Sequence, residues 1–136
     1  WIDQGAEQAI AILEVPNRYL AGITEVALKN HFADKTNWRK MLTNDIILAD
    51  LADHRLKLQN LLPDEVKDFF IADKVDLYEL QYPVLAYPKK VNSLNLENTP
   101  HHKGKLIGIK GQYLIFEDGT VFNVRAYEGY AVRIEL

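Results

Sequence analysis

Glu25 stands one turn beyond the Ala21-Gly22 step in the stretch NRYLAGITEVALKNHFADKTNWRKML, residues 17–42. A carboxylate beside small neighbours is open to a divalent cation, held through oxygen contacts and water, and the missing side-chain bulk lets a second backbone or a ligand come close. The competing reading is an ordinary surface pair, because Lys29 lies at the favourable i+4 spacing. A second cluster is basic: Lys89, Lys90, Lys103, Lys105 and Lys110, opposed within that segment only by Glu97. With aromatics such as Tyr113, Tyr127 and Tyr130 exposed nearby, it would hold a nucleic-acid backbone and stack bases; dispersed along a loop, the same lysines are a solvated face. Trp38 and Arg39 form either a stacked pair touching phosphate or a packed indole beside a surface guanidinium. His101-His102 and His54, near Asp50 and Asp53, lack the spaced partners of a zinc site and read as surface histidines. His31 falls near the apolar face of the Glu25 helix and reads as a partly buried, hydrogen-bonded group. No serine–histidine–acid arrangement, phosphate loop or dinucleotide fingerprint is present.

The elements that must carry these groups follow from periodicity and breakers. Ala9–Val15, AIAILEV, closed by Pro16, reads as a short buried strand. Asn17 caps a helix to about Phe32, with Leu20, Ile23, Val26, Ala27 and Leu28 on its apolar face and Glu25 off it. A polar linker at 33–37 and a short segment Trp38–Leu42 follow. A second helix is expected from an Asn44-Asp45 cap to Leu62, burying Ile47, Leu48, Leu51, Leu58, Leu61 and Leu62 and leaving Arg55 outside. Pro63 ends it and suits the first position of a third. Beyond Asp73 the chain turns extended and loop-like, and past Gly104 come three or four strands at 105–110, 112–116, 120–126 and 130–136. Gly111, Glu117-Asp118-Gly119 and Tyr127-Glu128-Gly129 supply the turns between them. The expected class is α+β: a helical N-terminal lobe with one short strand over residues 1–72, then an extended linker and a C-terminal antiparallel β meander over 73–136, an SH3-like or OB-like partial barrel.

The bulk charge offers no strong attraction for a polyanion. Of the formal −3, residues 1–72 carry 8 Lys+Arg against 11 Asp+Glu, and residues 73–136 carry 8 against 8. The absence of cysteine excludes disulfides and thiolate metal sites within the chain and fits a cytoplasmic location. No apolar run is long enough to span a bilayer, so no membrane partner is expected. The chain opens with Trp1 rather than Met and reads as a processed product or a fragment of something longer.

The segment from AIAILEV through Glu25 in AGITEVAL to Asn37, twelve residues on, resembles the last helical part of a GIY-YIG nuclease domain. Trp1-Ile2-Asp3-Gln4-Gly5-Ala6 resembles the end of the preceding helix. Over nearly its whole length, including RYLAGITE, TNWRKML and GIKGQYLIFEDGTVFNVR, the chain is similar to an uncharacterised bacterial family of unknown function whose central region carries this nuclease-like pattern. The resemblance implies that Glu25 binds a metal, magnesium in the full-length protein, and that Asn37 organises the catalytic site. The tyrosine-bearing strands and the arginine of the nuclease pattern are missing, so this portion is expected to be inactive alone. Two functions follow as expectations. One is the C-terminal portion of a nuclease-like protein that engages DNA or RNA through Arg39, Lys89, Lys90, Lys103, Lys105 and Lys110. The other is a noncatalytic interaction or structural domain that docks a protein through its β module. An exposed apolar patch around that module favours the second.

Overall fold

The three longest helices begin in the same way. The side-chain oxygens of Asn17, Asn37 and Asp50 accept the backbone N–H groups of Leu20, Lys40 and Asp53, each satisfying an amide that a helix start leaves without a partner. The computed structural model describes residues 1–32, 35–73 and 75–135. Its elements in chain order are β1 (Gln8–Ile10), α1 (Arg18–Leu28), α2 (Trp38–Leu42), α3 (Leu51–Leu58), α4 (Asp64–Lys67), β2 (Leu77–Glu79), β3 (Asn92–Ser93), β4 (Leu106–Lys110), β5 (Tyr113–Phe116) and β6 (Thr120–Asn123). The fold is α+β. The chain forms two compact units: a sheet unit of Trp1–Ala6, Asn37–Ile46 and Gln81–Leu136, and a helical unit of Glu7–Thr36 and Ile47–Leu80.

In the helical unit β1 and β2 pair antiparallel, with Ala9 opposite Tyr78. The expected buried strand is instead short and half-exposed, because its sheet has only these two strands and Ala9 faces solvent. Its continuation is stitched to the segment after α4 by Glu14 N–H donating to Phe69 O and Ile71 N–H to Ile12 O. The second expected helix starts later than its apolar residues imply. Asn44 takes φ +57, a left-handed conformation that ends α2 rather than opening a helix. The helix begins at Leu51, after the Asp50 cap, and ends in a 3₁₀ turn at Gln59–Leu61. Ile47 and Leu48 therefore precede it and are exposed, whereas Arg55, Leu58 and Leu62 are buried. Arg55 is accommodated because its Nε donates to Ala11 O at 3.1 Å and its guanidinium lies 4.6 Å over the Phe70 ring. Pro63 is the residue before α4 rather than its first.

The sheet unit contains a four-stranded sheet of order β3-β6-β5-β4. Strands β4, β5 and β6 form the expected antiparallel meander, and β3 adds in parallel to β6. The β4–β5 turn is Gly111-Gln112. Gly111 has φ +57, and a Cβ there would lie 2.4 Å from Asp3 O, so glycine answers both the turn and the approach of the N-terminal segment. One face of the sheet packs Ile107, Tyr113, Ile115 and Val121 against Met41, Leu42 and Val91, with Trp38 and Val84 beside them. The strand expected at 130–136 is absent over 130–135; these residues are exposed and follow a 3₁₀ turn at Arg125–Tyr127. Residue 136, like 33 and 34 of the expected linker, lies outside the described residues.

Candidate functional site

A β-bulge between Leu106 and Gly108 sets which side chains of β4 face each way. Past it, Lys110 turns inward and is fully buried. Its Nζ lies 5.0 Å from the Tyr87 ring centre and 5.5 Å from that of Tyr82, with the Tyr87 hydroxyl at 3.5 Å. Tyr82 in turn donates its hydroxyl to Ala6 O at 2.7 Å, tying the N-terminal segment to the same nest. Nearby, Arg39 stacks 4.3 Å over Trp38, and Trp38 stacks on Tyr113 with ring planes 13° apart.

The opposite, outer face is apolar as well. Leu106 pairs with Phe116 in one row, and Ile109, Leu114 and Phe122 form the next. Two of these rings are covered: His102 packs edge-on to Phe116 at 4.7 Å, and Tyr127 stacks on Phe122 at 5.3 Å. The remainder is open. Ile109 is 41% exposed and Val124 50%, Leu114 is half-buried, and Leu106, in the row with Phe116, is exposed. Ile109, Leu114 and Val124 line a shallow hollow of about 490 Å³ together with Gly111, Gln112, Asp3 and Arg125. Asp3 is set at it by Gln112 N–H donating to Asp3 O at 2.9 Å, and Arg125 by the 3₁₀ turn after β6. Both charged side chains are exposed, and neither has an ion-pair partner among the described residues.

Charged groups around the sheet show local effects. Asp118, in the β5–β6 turn, has its carboxyl held below the usual range, first because it accepts the Thr120 N–H at 2.9 Å. The Tyr130 hydroxyl donates to Glu97 at 3.2 Å, which pushes its ionisation above the ordinary phenol value.

The residues singled out from sequence are dispersed among different roles. Glu25 is exposed on α1 in the helical unit, and among the described residues no group of three His, Cys, Asp or Glu side chains is placed to hold a metal. The hollow beside Gly22 is lined by Arg18, Tyr19, Gly22, Ile23, Val26 and Ala27 rather than by Glu25. Within α1 the buried residue is Thr24, while Val26, expected inside, is 73% exposed. Asn37 belongs to the sheet unit, where its side chain caps α2. Lys89, Lys90, Lys103 and Arg39 are exposed; Lys105 pairs with Glu117 at 3.0 Å, an acid that the neighbouring hairpin brings up. Lys110 lies inside. Tyr113 is buried and Tyr127 is stacked on Phe122, so of the three tyrosines expected at the surface Tyr130 is the exposed one. His31 is exposed rather than partly buried, and His102 is half-buried rather than on the surface. Asp3 and Arg125 escaped the sequence reading. Their signal was the apolar character of both faces of YLIF, which leaves one face for something else to cover.

These features define an α+β protein with an antiparallel meander that is apolar on both sides. The chain belongs to a family described as protein of unknown function (DUF2797), whose pattern matches residues 1–132. No curated protein and no solved structure matches it. No helix among the described residues is long and apolar enough to cross a membrane.

Proposed function

We propose that this chain is a protein-interaction domain whose contact surface is the outer face of the meander. The observation that carries the reading is the open apolar hollow of Ile109, Leu114 and Val124 at the end of the outer sheet face, with Leu106 exposed in the row opposite Phe116 on that face. Isolated exposed apolar side chains are ordinary, but a contiguous group on a regular face marks a surface that another molecule covers. The rim favours protein over nucleic acid, because Asp3 and Arg125 balance in charge, whereas a phosphate backbone is bound by convergent positive groups.

A photoreactive residue at position 106, irradiated in the cells that make this protein, tests the reading. The expected product is a discrete protein adduct that resists nuclease and disappears when Leu114→Glu is added. No adduct, or one that nuclease removes, contradicts it.

One observation favours the nuclease-like reading as an alternative. The Arg39 guanidinium is exposed over Trp38, and Lys89, Lys90 and Lys103 are exposed in the same unit. On that reading these groups, with Lys105, hold DNA or RNA, while Glu25 contributes one magnesium ligand and Asn37 an organising amide in a longer parent protein. Retention of nucleic acid at low salt, weakened by Arg39→Ala, and a Glu25-dependent cleavage by the parent would support it.

A further inference from the structure

We infer that the partner seated on the outer sheet face is a second copy of this chain, related by a two-fold axis; this rests on the protein-interaction reading above. A two-fold interface brings the same patch of both copies together, so each feature must find its complement within that one patch. The hollow has this property: an acid, Asp3, and a base, Arg125, line the same apolar surface of Ile109, Leu114 and Val124. Neither charge is neutralised by an ion pair among the described residues. Two-fold apposition places Asp3 of each copy against Arg125 of the other and closes the apolar floors on one another, forming two pairs from one contact.

The edges of the sheet argue that the face is the meeting point. Strand β4, at one edge, is already engaged: Ile109 N–H donates to Pro83 O, and Leu85 N–H to Ile107 O. Strand β3, at the other, spans two residues. Neither offers the long unpaired row of amides and carbonyls that edge-to-edge association uses. Both charges also sit on supported backbone, Asp3 through its carbonyl bond to Gln112 and Arg125 in the turn after β6, so pairing orders their side chains and not the chain that carries them.

Sedimentation equilibrium of the purified chain over a wide concentration range tests the inference, using wild type, Asp3→Arg, Arg125→Asp and the double reversal. Circular dichroism confirms that each variant is folded. The expected result is a monomer–dimer equilibrium that each single reversal weakens by about tenfold or more and that the double reversal restores to within roughly threefold of wild type. A chain that is monomeric throughout, a dimer indifferent to the single reversals, or a double reversal no better than the singles overturns it. A monomeric chain that still gives a protein adduct at position 106 removes the second copy and leaves the interaction surface standing; loss of both removes both.

Discussion

Lys110 Nζ lies 5.0 Å from the centre of the Tyr87 ring and 3.5 Å from the Tyr87 hydroxyl, in a position with no solvent exposure. A buried ammonium is tolerated only with compensating partners, and aromatic faces supply about 2 kcal/mol or more when desolvated. Lys110→Ala removes the charge and leaves a cavity among Tyr82, Tyr87 and the sheet, with an expected cost of about 2–5 kcal/mol in urea unfolding. Lys110→Met fills much of the same volume and is expected to cost less than about 1.5 kcal/mol. Equal, negligible losses for both variants would mean that the side chain is solvated and the nest is not formed.

Arg55 and Phe70 make the corresponding relationship in the helical unit, with the guanidinium 4.6 Å over the ring and Nε bonded to Ala11 O. Lysine cannot reproduce a planar donor that stacks and bonds at once. Arg55→Lys is expected to destabilise by about 1.5–3 kcal/mol. A denaturation midpoint within error of wild type counts against the packing of Arg55 described above.

Gly111 carries two constraints, φ +57 and a Cβ position 2.4 Å from Asp3 O. Gly111→Ala is therefore expected to lower stability by more than about 1 kcal/mol. The same change shifts the backbone of Asp3 and weakens self-association beyond the loss of stability. Thermal unfolding and sedimentation of the variant read the two effects separately; no change in either contradicts the close approach.

Asp118 gives a pH dependence of known sign. Its carboxyl is depressed in the folded state, chiefly by the Thr120 N–H bond. A depressed acid contributes stability above its unfolded value, and the contribution is lost as pH falls through the folded one. The stability difference between wild type and Asp118→Ala is expected to be largest near neutrality and to shrink in acid below the usual carboxylate range. A difference that stays constant or grows as acid is added goes against that assignment.

The meander was legible because its signals are local. Gly111 and the Glu117-Asp118-Gly119 turn separate apolar runs whose β propensity agrees with their place in the sheet. Asn17 marked the first helix by its own hydrogen bond. What could not be read depended on partners remote in sequence. The bulge in β4 changes which side chains face inward, so Lys110 is enclosed rather than joining the surface lysines. Arg55 is buried because Ala11 and Phe70 receive it, and the α1 periodicity could not tell which apolar side meets the unit's core. The resemblance alone linked Glu25 with Asn37; Glu25 lies on α1 in the helical unit, and Asn37, in the sheet unit, serves as the cap of α2. Asp3 and Arg125 line one hollow because the Gly111-Gln112 turn holds the N-terminal segment against the sheet, a juxtaposition no local pattern encodes.

Methyl resonances of an Ile, Leu and Val-labelled chain, followed on dilution from millimolar to micromolar concentration, test self-association through the outer sheet face most directly. The account predicts concentration-dependent shifts at Ile109, Leu114 and Val124, with Ile23 and Val26 of α1 unmoved. Shifts at Ile23 and Val26 with the sheet methyls constant, or a spectrum unchanged over the whole range, contradict it.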